Sequence, residues 1–81
     1  MVIFKVKFQT MDEVAQFVNI CSKYEEDVNF KAANYHYIVD AKSIIAMISI
    51  GLNEICEVHI NTNSKDLADT FKEHIERWII T

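Results

Sequence analysis

The chain has 81 residues, 51% of them hydrophobic and 25% charged. That is the size and balance of one globular domain, expected to span residues 1–81. Twelve acidic against eight basic residues leave a net charge of −4, which argues against a nucleic-acid binder built on a basic surface. With no Pro and a single Gly, the chain has neither a linker nor a Gly-rich phosphate loop, and two cysteines are too few for a disulfide framework.

The longest apolar stretch, around Ile44 to Ile50, is interrupted by Ser49 and falls well short of the roughly 20 residues that span a bilayer, so no membrane role is expected. Met1 leads straight into alternating, strand-like sequence, so no secretory signal is expected and the cytoplasm is the expected compartment.

Val2, Phe4, Val6 and Phe8 alternate with Ile3, Lys5 and Lys7, the pattern of a half-buried strand. Thr10 followed three residues on by Glu13 is the capping-box spacing. Val14, Phe17, Val18 and Cys21 then recur at helical intervals, predicting a helix to about Ser22. Two short strands are expected at 27–31 and 35–40, with a turn near Ala33 and Asn34; in the second, both faces carry apolar residues. Ser43 opens a short helix of about eight residues that Gly51 stops. Glu54 to Thr62 reads as a strand with Cys56, Val58 and Ile60 on one face. Ser64 caps a last helix whose apolar face is Leu67, Ala68, Phe71, Ile75, Trp78 and Ile79, with Asp66 at the favourable end of the macrodipole. Asp69 with Lys72 and Glu73 with Arg77 stand at pairing distances along it.

The order is β-α-β-β-α-β-α. Four strands cannot bury both faces with three helices unless all helices lie on one side, which gives an open-faced β-sandwich of the α+β class. The short helix carries Ile44, Ile45, Met47, Ile48 and Ile50. A helix hides about three positions per two turns, so part of this set is exposed or covered by a partner, the strongest indication of a binding surface within the sequence. Ser43 is fully accounted for as an N-cap.

The stretch Val39-Asp40-Ala41-Lys42-Ser43-Ile44-Ile45-Ala46-Met47-Ile48-Ser49-Ile50-Gly51-Leu52 resembles the regulatory-serine region of HPr, the small phosphocarrier of the bacterial phosphotransferase system. Ala15-Gln16-Phe17-Val18 is similar to the family's first helix, and the element order extends the resemblance over the chain. The resemblance implies a four-stranded antiparallel sheet covered on one face by three helices. It also implies that Ser43 is a target for an ATP-dependent kinase, and that Ile44, Ile45, Met47 and Ile48 form a patch for protein partners, an HPr kinase or a transcriptional regulator. A dimer through the same helix is a further option.

The family carries a Gly-x-His-x-Arg-Pro loop between its first strand and first helix, whose His accepts the phosphoryl group. Here only Gln9 and Thr10 follow Phe8. Thr10 stands near the His position and Asp12 near the Arg position, where a carboxylate would repel phosphate. None of His36, His59 and His74 falls at an anion-friendly helix start. By the family's sheet order His36 and His59 stand on strands that are not neighbours, too far apart for a shared metal. All three are expected to be structural or simply exposed, and Cys21 and Cys56 to be core residues.

The sequence thus points to a degenerate HPr-like domain, not an enzyme, with neither cofactor nor metal, that acts by binding or regulation. Two alternatives stand beside it. One is a genuine phosphocarrier using another residue. The other is an unrelated ferredoxin-like binding module, which shares the β-α-β-β-α-β order.

Overall fold

The computed structural model describes residues 1–32, 38–49 and 52–80. Strand β1 (Val2–Val6) leads into helix α1 (Met11–Cys21), followed by β2 (Val28–Ala32), β3 (Val39–Asp40), the short α2 (Ile44–Ile48), β4 (Cys56–Ile60) and α3 (Lys65–Ile75). The strands form one antiparallel sheet in the order β1-β4-β2-β3. This is the expected open-faced β-sandwich.

Register explains which face is covered. Val2, Ile60 and Val28 stand side by side across the three long strands, as do Phe4, Val58 and Phe30, and then Val6, Cys56 and Ala32. These rows meet the helices, while the alternate residues form the open face. There Glu57 lies between Lys5 and Lys31, and His59 between Ile3 and Asn29. A period of two cannot bury one set without exposing the other.

The helices contribute Val14, Phe17, Val18 and Cys21 from α1, Met47 from α2, and Ala68, Phe71 and Ile75 from α3. Phe8, Phe17, Phe30 and Trp78 form an aromatic cluster at the centre, with ring centroids 5.0 Å apart for Phe8–Phe17 and 5.5 Å for Phe8–Trp78. Tilted and edge-on pairs of this kind contribute about 0.5–1.5 kcal/mol each beyond burial.

All three helices are capped as their sequences require. Thr10, Ser43 and Ser64 accept hydrogen bonds from the amides of Glu13, Ala46 and Leu67. Asn53 has a φ of 64°, which an Asn accommodates more readily than most residues. That turn aims its amide at the Phe8 carbonyl, 2.8 Å away.

Three expectations need correction. The last helix does not carry Trp78 and Ile79 on one continuous face. The α-helix ends at Ile75, tightens into a 3₁₀ turn over Glu76–Trp78 and then becomes extended. Ile79 bridges to Val6, with Lys7 donating to the Trp78 carbonyl and Ile80 to the Lys5 carbonyl. The outer edge of β1 has backbone groups that need partners, and the end of the chain supplies them. Next, Ile38 lies outside β3, which covers Val39–Asp40 of the strand expected over 35–40; Tyr35, His36 and Tyr37 lie outside the described residues, as do the expected turn at Ala33 and Asn34 and the helix stop at Gly51. Finally, neither Asp69–Lys72 nor Glu73–Arg77 closes into an ion pair. Among the described residues the one such pair is His59–Glu57, in keeping with how little exposed pairs gain.

Candidate functional site

The region with the most chemistry is the side of the molecule where α2 packs against α1. Two contacts fix α2 there. At one end the Lys42 ammonium donates to the Tyr24 carbonyl at 2.6 Å, just past the C-terminus of α1. At the other the Asn53 amide reaches Phe8, just before the α1 N-terminus. α2 is thus bracketed along the length of α1 and brought toward the β1–α1 connection.

Ser43 sits half-buried at the start of α2. Its Oγ accepts from the Ala46 amide at 3.3 Å, and its own amide donates to the Asp40 carbonyl at 3.1 Å. The Asp40 carboxylate accepts from the Lys42 amide at 2.9 Å, which closes the turn into the helix.

The four apolar candidates on α2 divide. Ile45 is 81% exposed, Ile48 52% and Ile44 38%, whereas Met47 is 3% exposed. Met47 therefore leaves the outward-facing set. It lies on the side of α2 turned to the core, and it is the residue that anchors this five-residue helix. Ile44, Ile45 and Ile48 stay together on the solvent side.

At the β1–α1 connection, Thr10 is the N-cap of α1 and Asp12 lies in its first turn. The Asp12 carboxylate accepts from the Gln16 side chain at 3.2 Å. The residue that sequence reasoning undervalued is Glu13. Its Oε1 accepts from the Gln9 amide at 2.8 Å and from the Thr10 amide at 3.0 Å. These bonds, the one to Gln9 foremost, hold its carboxyl below the ordinary value of 4.5; the Trp78 indole N–H, buried and short of good hydrogen-bond geometry, adds a smaller pull. The capping-box spacing of Thr10 and Glu13 signalled the contact, though not that the Gln9 amide would be taken as well.

The histidines and cysteines are placed elsewhere. On the open face, His59 Nε2 lies 2.9 Å from Glu57 Oε1, and this contact lowers the Glu57 carboxyl, with Lys31 and Lys5 adding to it. His74 Nδ1 meets the Tyr24 hydroxyl at 2.9 Å. His36 is outside the described residues. Cys21 and Cys56 are both buried; burial pushes their thiols up to about 12 and about 11. Among the described residues no three His, Cys, Asp or Glu side chains cluster as a metal centre would need, and no helix is long and apolar enough to cross a membrane.

Three solved structures share this arrangement. An HPr from Thermoanaerobacter tengcongensis superposes with a TM-score of 0.71 at 18% identity, over 93% of this chain and 90% of that one. The histidine-containing phosphocarrier protein of Mycoplasma gives 0.69 at 14%, over 94% and 93%. The phosphocarrier HPr of Bacillus anthracis gives 0.64 at 16%, over 90% and 94%. At these identities the likeness is one of fold. No curated protein matches the sequence. The family model described as the PTS HPr component phosphorylation site matches residues 11–79, from the first residue of α1 to the segment paired with β1. The chain belongs to the HPr family of the phosphotransferase system.

Proposed function

We propose that this member of the family acts by binding and regulation, without enzymatic activity and without the relay histidine, in the cytoplasm. The observation that carries this reading is the occupancy of the β1–α1 connection. A phosphohistidine relay needs an imidazole there and free amides at the helix start to meet the phosphate. In this chain the amides of Gln9 and Thr10 are already bonded to the Glu13 carboxylate. A phosphoryl group would have to displace an anion that is part of the chain, and would meet Asp12 beside it.

What remains is a surface for another protein. Ile44, Ile45 and Ile48 form the apolar element of it, of the kind that leaves water when a partner docks. Ser43 beside them is the candidate for modification; a phosphate added to its oxygen would bring charge and acceptors to the margin of that patch and change which partner fits. An HPr kinase and a transcriptional regulator are the partners the family suggests, and self-association through α2 is the competing use of the same surface.

The test is intact mass after incubation with ATP and an HPr kinase, comparing the natural chain with Ser43→Ala. A parallel arm contains phosphoenolpyruvate and the upstream phosphotransferase enzyme. One added phosphate in the kinase arm, absent from Ser43→Ala, is the expected result. Phosphate transfer in the phosphoenolpyruvate arm would overturn the reading and return the chain to the phosphocarriers.

A further inference from the structure

Beyond the C-terminal end of α1, the chain forms a groove of about 390 Å³ lined by Ile20, Lys23, Tyr24, His74 and Arg77. It joins the C-terminal end of α1 to the C-terminal end of α3 and the turn that follows. We propose that this groove binds a small organic anion, with an oxyanion head between Lys23 and Arg77 and an apolar body against Ile20 and Tyr24.

The groove is cationic on an acidic protein. The chain carries −4 overall, yet no carboxylate lines this groove, and its polar walls are a lysine, an arginine, a histidine and a tyrosine. Neither Lys23 nor Arg77 takes part in an ion pair among the described residues. A second concavity, on α3, is lined by Asp69, Glu73 and Glu76 with a single Lys72 and does not share this cationic lining.

The groove is also preorganised. Tyr24 is held at four points. Its hydroxyl meets His74 Nδ1 at 2.9 Å, its carbonyl accepts from Lys42 at 2.6 Å, and its amide donates to the Cys21 carbonyl at 3.1 Å. Its ring packs edge-on against Phe71, with centroids 5.2 Å apart. The Arg77 guanidinium lies over the Trp78 ring at 4.4 Å, which limits the freedom that this side chain would lose on engaging an oxyanion. The volume lies within the range of small-molecule sites and leaves room for an organic body beyond the head group.

Phenyl phosphate is the probe, titrated into the 15N-labelled chain and followed by amide chemical shifts. Saturable shifts confined to Ile20, Lys23, Tyr24, His74, Arg77 and their immediate neighbours are expected. Lys23→Gln and Arg77→Gln should each weaken binding about tenfold, the effect of losing one charge-assisted contact. Amide shifts outside the groove report whether each variant keeps its fold. If Arg77→Gln disturbs the packing of Trp78, Lys23→Gln alone carries the comparison. Phenol producing the same shifts, or inorganic phosphate binding as tightly as phenyl phosphate, would overturn the assignment, as would shifts that never saturate or that survive both substitutions. None of these outcomes depends on the Ser43 experiment.

Discussion

Thr10 and Glu13 satisfy each other across the first turn of α1: the Thr10 hydroxyl accepts from the Glu13 amide at 3.2 Å, and the Glu13 carboxylate accepts from the Thr10 amide at 3.0 Å. The exchange explains a helix start without Gly or Pro, and it fixes a negative charge where a bound anion would otherwise be attracted.

Removing the cap should weaken the protein measurably. Thr10→Ala is expected to cost about 1 kcal/mol in urea unfolding. The carboxylate half has a pH signature. Because the Glu13 carboxyl is lowered in the folded state, its stabilisation is fully present above the unfolded value near 4.5. It is lost as pH falls through the lowered value, where the folded chain must also take up the proton. Glu57, lowered by His59, contributes over the same window. The stability gap between the natural chain and Glu13→Gln should therefore be open at pH 7 and close steadily below about 4.5. A gap that stays constant down to acid unfolding would contradict the contact.

α2 should separate into an anchor and a surface. Met47→Ala removes a buried side chain from a five-residue helix and is expected to cost about 2–5 kcal/mol. Ile45→Ala, at an outward position, should stay within about 0.5 kcal/mol of the natural chain. Urea midpoints for the two variants decide it. An Ile45 substitution as damaging as that of Met47 would mean that this side chain is covered in the folded monomer, leaving no apolar patch for a partner.

The thiols give a further check. Burial has pushed both well above ordinary cysteine values, so almost no thiolate is present at pH 8. Native protein treated with iodoacetamide should keep its mass over a time in which the urea-unfolded chain gains two adducts. Rapid loss of either thiol in the native protein would remove that cysteine from the core.

Local signals carried much of this architecture. The alternation of Val2, Phe4, Val6 and Phe8, the Thr10–Glu13 spacing and the stripe from Leu67 to Ile75 each reflect neighbouring residues, and the structure keeps all three. What the sequence hid was non-local. The stripe continues in register to Trp78 and Ile79, and only the open edge of β1 draws that segment out of the helix. The inward turn of Met47 depends on where α1 lies. The groove at Tyr24 joins residues fifty positions apart, a relation no local pattern records. Ser43 was legible as a cap, and the local pattern by itself goes no further than that.

The bridge from Val6 to Ile79 bears on how the protein is made. β1 emerges from the ribosome early, yet both of its neighbours, β4 on one side and the Ile79 segment on the other, are synthesised late. Until then the backbone groups along both edges of β1 have no native strand to pair with. Such distant pairings slow folding, and unpaired apolar strands are prone to association in the meantime. The pairing of β1 is therefore complete only once the Ile79 segment has been made.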